Sequence, residues 1–201
     1  MGRKKNYDRE ALIEKAMEIF RDHGFAGTSA EMLVEGLGVN RYSLYAEFGS
    51  KQGLFDAALE RYDEKVVERN FGPLESPTAS IAEVRALLEF FALAAKSPAW
   101  GRGCLLCNTA VEFGPDDPTG NSFIQRYFKR LSVAFNTALD NAQREGELAP
   151  SVAPRKEAGF FTASVLGLFV MLRAQAPPPA IKSAVGVAIE HLEALRVAPK
   201  P

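Results

Sequence analysis

Apolar residues recur along this chain at the three- and four-residue spacing of helices, and nearly every run lies between a capping residue and a glycine or proline. In "YDREALIEKAMEIFRDHGF", Leu12, Ile13, Ala16, Met17 and Phe20 form one stripe. Asp8 stands at its N-terminal cap and Gly24 at its left-handed stop, with Phe25 placed to fold back on the last turn. "TSAE" has the spacing of a capping box between Thr28 and Glu31, and it opens a short helix that ends at Leu37 before Gly38. Asn40 caps the next helix and Gly49 ends it. Ser50 caps a fourth, carrying Leu54, Phe55, Ala58, Leu59 and Tyr62. After Asn70, "FGPLESPTAS" predicts a break in that connecting helix.

The second half repeats the pattern on a larger scale. Ser80 and Glu83 form another capping box ahead of Val84, Leu87, Leu88 and Phe91. "KSPAWGRG" is a break, "CLLCNTAVEF" a short helix, and "GPDDPTG" a second break with Asp117 or Thr119 as the following cap. A long amphipathic helix runs to Arg144 through Phe123, Tyr127, Phe128, Leu131, Phe135 and Leu139, and Gly146 stops it. The last two helices cover roughly residues 155–176 and 179–197, divided by "PPP". No hairpin signal appears anywhere, so the pattern predicts an all-α chain.

Residues 28–51 pose a question that packing does not answer. Two short helices separated by "GLGV" make a helix-turn-helix, with Gly38 permitting the tight turn and Val39 filling the angle between the helices. Leu44 and Phe48, four apart, anchor the second helix. That leaves Asn40, Arg41, Tyr42, Ser43 and Tyr45 free to enter a DNA major groove, where arginine suits the guanine edge and Tyr and Ser contact phosphates or base edges. Lys51, at the start of the following helix, is a cation where the helix dipole disfavours one, and a nearby phosphate would offset that. The bland alternative is an ordinary solvated surface.

The stretch "TSAEMLVEGLGVNRYSLYAEFGSKQGLF" resembles the N-terminal signature of the TetR family of bacterial transcriptional repressors. The resemblance is strong over residues 8–55 and architectural beyond them. It implies a three-helix DNA-binding domain over 1–53 and a larger helical ligand-binding and dimerisation domain over 54–201. It further implies that Thr28, Tyr42, Tyr45 and Lys51 contact the DNA backbone, and that Asn40, Arg41 and Ser43 lie near bases. One departure stands out: the family often has His where Ala46 or Glu47 stands, and a Glu47 facing DNA would repel phosphate.

The last two helices are apolar on more than one face, which calls for burial beyond their own domain, although the core of a monomer is the other reading. The resemblance favours a four-helix dimer interface, with Phe161, Val165, Leu168 and Leu172 from one helix and Val185, Ile189 and Leu192 from the other. Two-fold symmetry would double the bases read and place half-sites about one helical turn apart. Phe90, Trp100, Cys104, Cys107, Phe113, Phe128 and Phe161 are candidates for an effector pocket, as in regulator domains of this family; ordinary core is the alternative. Cys104 and Cys107, three apart, have two readings. They are small hydrophobes at tight helix contacts, or a thiol sensor of electrophiles or oxidants with Arg102 favouring a thiolate.

Composition narrows the partners. With 47% hydrophobic and 24% charged residues and a net charge of −1, no global basic field announces nucleic acid. Residues 1–51 hold eight basic and eight acidic side chains, so DNA binding must rest on a local arrangement, with Arg3, Lys4 and Lys5 as an arm for the minor groove. The N-terminus lacks the apolar run of a signal peptide, and the longest apolar stretch, residues 158–172, is too short to span a bilayer. Two cysteines without an export signal point to a reducing, cytoplasmic setting with no structural disulfide. Only His23 and His191 are present, neither at zinc-ligand spacing, and no nucleophile elbow or phosphate loop occurs. The expectation is a DNA-binding regulator without metal, cofactor or catalysis. The remaining alternative, a helical dimer that binds no DNA, would have no use for the face at residues 40–45.

Overall fold

The computed structural model describes residues 7–97, 101–113 and 118–197. Arg3, Lys4, Lys5, Trp100 and Asp117 lie outside the described residues. The chain is built from helices: α1 (Arg9–Gly27), α2 (Ala30–Leu37), α3 (Arg41–Phe48), α4 (Lys51–Tyr62), α5 (Glu68–Glu75), α6 (Ile81–Ala94), α7 (Leu105–Glu112), α8 (Pro118–Arg144), α9 (Pro154–Arg173) and α10 (Pro178–Ala194). Among the described residues the only β-type contact is the bridge between Leu148 and Arg196.

Capping chemistry sets most of the boundaries. Asp8, Asn40 and Ser50 each accept a backbone N–H of the helix that follows, and Ser80 and Glu83 form a capping box. Gly38, at φ 68°, makes the left-handed turn between α2 and α3, a conformation costly for any residue with a Cβ. One cap differs from expectation. Ser29, not Thr28, caps α2, accepting the amide of Met32, while the Thr28 side chain turns inward and donates to the Gly24 carbonyl at 2.5 Å.

The connecting helix also departs from expectation. It does not break at "FGP": a single π turn, Asp63–Val67, passes straight into α5, which continues through Pro73 to Glu75. Phe71 and Leu74 are buried on the inner side of α5, so packing holds the helix past the proline. Arg130 of α8 clamps the same stretch, donating to Glu75 at 2.5 Å and to Asp63 at 3.2 Å and pairing with Glu68. Thr119 falls inside α8 and is therefore not its cap.

One hydrophobic core runs from Leu12 in α1 to Leu192 in α10. α8 packs along α9 and α10 along α6, while α1 lies against α4 and α7, so the helix-turn-helix head is joined to the helical body along a seam. The residues expected at a dimer interface belong to this core instead. Phe161, Val165, Leu168, Leu172, Val185 and Leu192 are all at most 3% exposed within a single chain, and Ile189 is packed half-buried against them. Their spacing follows the inward face of each helix, so α8 and α6 already cover them.

The cap correction is open to measurement. Ser29→Ala removes the acceptor for the Met32 amide and should lower stability by about 1 kcal/mol in denaturant titrations, with the dependence on denaturant unchanged.

Candidate nucleic-acid interface

α3 is held by little. Leu44 is 1% exposed and Phe48 packs partly buried on the core beneath the Arg9 guanidinium, 5.4 Å from its ring centroid. The opposite face is left to solvent: Asn40, Arg41 and Tyr42 are exposed, Tyr42 to 85%, with Ser43 and Tyr45 half-buried beside them. The Asn40 side-chain oxygen is committed to the Ser43 amide at 2.8 Å, which leaves its NH2 group facing outward. Arg41 stands 5.8 Å over the Tyr45 ring and 3.5 Å from Glu31. Both partners of that ion pair are more than 60% exposed, so it holds Arg41 weakly and yields readily to a stronger anion.

Glu47 does not face outward. Its carboxylate accepts the Tyr7 hydroxyl at 3.1 Å and lies 3.5 Å from the Arg9 guanidinium, with its side chain 8% exposed. The departure from the family pattern thus puts no negative charge on the exposed face, and it ties α3 to the start of α1. Arg9 is consumed in the same arrangement, stacked on Phe48 and paired with Glu47.

Thr28 and Lys51 have structural duties that spacing did not reveal. Thr28 is fully buried, and its hydroxyl is spent on the Gly24 carbonyl of α1. Lys51 Nζ donates to the carbonyls of Phe25 and Thr28 at 2.9 and 3.0 Å and sits 4.2 Å from the Phe25 ring centroid. The carbonyls at the end of α1 offset the unfavourable dipole of α4, and the ammonium keeps a third N–H beyond those two bonds.

The seam behind this head was not legible beforehand. Gly24, at φ 74°, breaks α1, and the exposed amides of Phe25 and Ala26 are bound by the Glu112 carboxylate at 2.9 and 2.5 Å. A Cβ on Gly24 would lie 2.9 Å from that carboxylate. Arg173 of α9 donates to the carbonyls of Arg21 and Asp22, and buried Arg21 donates twice to the Gly103 carbonyl. Arg102, expected beside a thiolate, is instead paired with Glu18 at 2.6 Å and Asp22 at 3.3 Å. Phe113 packs between Phe25 and Phe55, with ring centroids at 5.3 and 5.7 Å, so it belongs to this seam.

Phe90 stacks edge-on against Phe91, Phe128 lies beside Tyr127, and Phe161 stacks on Phe135. A groove of about 350 Å³ opens at the seam, lined by His23, Gly24, Asn108, Val111, Val170 and Arg173 among others, and Cys107 is the one expected pocket residue on its wall. Among the described residues no group of three or more His, Cys, Asp or Glu is arranged to hold a metal ion, and no helix is long and apolar enough to cross a membrane.

Lys51→Met should separate its structural role from any DNA contact. Losing a charged donor to two carbonyls should cost about 1–3 kcal/mol of stability, read by chemical unfolding in the absence of DNA. Unchanged stability would mean that these bonds contribute nothing.

Comparison with known proteins places this geometry. Residues 12–58 match the family model described as "Bacterial regulatory proteins, tetR family", and residues 80–187 match "Tetracyclin repressor-like, C-terminal domain". The HTH-type transcriptional regulator YezE of Bacillus subtilis is 34% identical over 74% of this chain and 76% of its own. The HTH-type transcriptional repressor ComR of Escherichia coli is 30% identical over 86% of this chain and 82% of its own. Among solved structures, the TetR family transcriptional regulator CifR, a cysteine mutant complexed with 26-base-pair operator DNA, superposes with a TM-score of 0.82 at 25% identity, over 94% of this chain and 98% of its own. An exposed reading helix on a capped helix-turn-helix, continuous with an all-helical body, and both family matches agree: the chain belongs to the TetR family of bacterial transcriptional regulators.

Proposed function

We propose that the chain is a repressor that holds a pseudo-palindromic operator as a homodimer and releases it when a small effector engages the helical body. The carrying observation is the outer face of α3, where Tyr42 stands 85% exposed beside Arg41 and Asn40 on a helix anchored by one buried leucine. A large aromatic left in water among donors is surface for a partner, and its position at the start of a reading helix fits the major groove. Arg41 is suited to a guanine edge, the outward NH2 of Asn40 and the Ser43 hydroxyl to bases, and Tyr42, Tyr45 and the third N–H of Lys51 to phosphate. The named relatives support the assignment, ComR as a repressor and CifR as an operator-bound regulator. On this reading the protein works in the cytoplasm and carries out no catalysis.

Because the inward faces of α9 and α10 are used up within the chain, the second copy is assigned to their outward faces. These expose Phe160 to 42%, Val170 to 51% and Val187 to 60%, interspersed with Gly167 and Ala184. Small residues let helices from two chains approach closely, and the aliphatic groups supply the apolar area.

Two measurements test this reading. Arg41→Ala should cost about 1–3 kcal/mol in mobility shifts and relax preference at one symmetric pair of positions. Equal affinity of the wild type for upstream fragments and scrambled DNA would refute specific binding. For assembly, nothing lies within 4 Å of a Cβ built on Gly167, so Gly167→Arg should leave a folded monomer in analytical ultracentrifugation. Leu168→Arg, aimed into the core, should unfold the chain. A Gly167→Arg protein that stays dimeric would move the interface elsewhere.

A further inference from the structure

Two aliphatic side chains stand in water along the groove at the seam. Val111 of α7 is 79% exposed and Val170 of α9 is 51% exposed, and both line it. Neither is needed to anchor its own helix, since Leu105 and Leu106 are buried from α7 and Val165, Phe169 and Leu172 from α9. Ala174, Cys107 and Gly24 extend the apolar lining. Cys104 is 1% exposed behind it, donating to the Tyr127 hydroxyl at 3.6 Å with Tyr62 beside it.

The charged groups on the same wall are committed, and that decides what can bind. Arg173 donates to the carbonyls of Arg21 and Asp22, and Glu112 accepts the amides of Phe25 and Ala26. Their charges are opposite and share one groove, so an acid drawn to Arg173 also meets Glu112, and a base drawn to Glu112 meets Arg173. An ion would give up hydration there without a countercharge of its own. An uncharged molecule gives up little and covers two exposed valines. One polar position stays open. The Asn108 NH2 group donates to the Arg102 carbonyl at 2.9 Å, while its Oδ1, an acceptor, takes no hydrogen bond among the described residues. His23 completes the polar lining and is exposed to water.

We propose that this groove binds a small uncharged phenol or alcohol with an apolar body, and that its occupancy weakens the hold of the helical body on the DNA-binding head. The apolar body lies against Val111 and Val170, and the hydroxyl donates to Asn108 Oδ1. The second half rests on the regulator reading given above; the binding does not. At about 350 Å³ the groove is near the lower end of ligand-pocket sizes, which suits a single ring. It lies between head and body, so a ligand enters without parting the buried aromatic rings of the core.

The consequence follows from what adjoins each wall. Val111 precedes Glu112, whose carboxylate holds the Phe25 amide at 2.9 Å. A Cβ on Gly24 would already meet that carboxylate at 2.9 Å, so this contact has no slack. On the other wall, Val170 stands three residues before Arg173, which grips the carbonyls of Arg21 and Asp22. A ring seated on both valines bears on both helices that hold the end of α1, and it binds best where α7 and α9 stand apart. In that arrangement the turn at Phe25 and Ala26 loosens, and with it the Phe25 carbonyl that receives Lys51. Val170 also lies on the face assigned to the second copy, so on that reading the groove opens at the edge of the interface.

Calorimetry on the full chain with 4-propylphenol should show saturable binding at one site per chain. The ether 4-propylanisole, which has no donor, should bind about three- to tenfold more weakly, and the anion 4-propylbenzoate not measurably. Val111→Glu, a change on an exposed side chain, should abolish phenol binding while the thermal melt by circular dichroism stays that of the wild type. With saturating 4-propylphenol, affinity for fragments of the chain's own upstream region should fall about tenfold or more. No saturable phenol binding, equal binding of the benzoate, or undiminished binding by Val111→Glu would each overturn the site. Binding that leaves DNA affinity unchanged, or raises it, would overturn the coupling. A wild type that shifts no fragment without any compound would overturn the regulator reading instead, since calorimetry reads the groove without DNA.

Discussion

The turn between Gly24 and Thr28 is the joint on which the rest of the molecule depends. It sits between two helices of the head, and both kinds of backbone group in it are taken by side chains from elsewhere. Its amides go to Glu112, from the helical body, and its carbonyls to Lys51, from the helix that follows the reading helix. Each of these bonds has a charged side chain as one partner, so neither side moves without breaking charge-assisted hydrogen bonds. Phe25, on the same turn, packs with Phe20, Phe55 and Phe113 and adds apolar area to the polar joint.

That joint explains how a body of helices can govern a distant reading surface. Allosteric control requires two arrangements that a ligand distinguishes, together with a physical connection between the sites. Here the connection is short: α7 grips α1 at both of its ends, through Arg102 and Gly103 at one and Glu112 at the other. Arg173 adds a third hold from α9, a helix whose outer face is assigned to the second copy. On the proposed homodimer reading, a shift in α7 or α9 would reach each head through these bonds and alter the spacing of the two reading helices.

Charge is handled locally throughout. The head has no net basic surplus, and several of its charges are spent internally: Glu47 and Arg9 on each other, Arg21 on a carbonyl, Lys51 on two. Among the described residues, the side chains left exposed at the start of α3 are Asn40, Arg41 and Tyr42. The same economy applies to the connecting helix, where Arg130 pairs with Asp63, Glu68 and Glu75 across the π turn and ties α4 and α5 to α8.

Local chemistry was enough to read the helices, most of their caps and the helix-turn-helix, because caps, left-handed glycines and apolar spacing act over three or four residues. It also showed which side chains of α3 face outward, since Leu44 and Phe48 leave only one face free. Wherever a second element decides, it failed. Thr28 and Ser29 are adjacent hydroxyls, and only the packing of α1 against α4 determines which one caps and which is buried. Pro73 looks like a helix end until Phe71 and Leu74 are seen to be held by the core. Phe161, Leu168 and Leu172 carry the same apolar signal whether they meet a second chain or their own α8, so pattern alone assigned to an interface what the fold had already buried. Glu112, Arg173 and Gly103 give no local signal, because their partners lie some 80 to 150 positions away in sequence. Spacing brought Cys104 and Cys107 together, but only the fold put Tyr62 and Tyr127 around them and turned Arg102 away. Sequence determines what a segment can form by itself; which of its faces is spent, and on what, depends on contacts between segments remote along the chain.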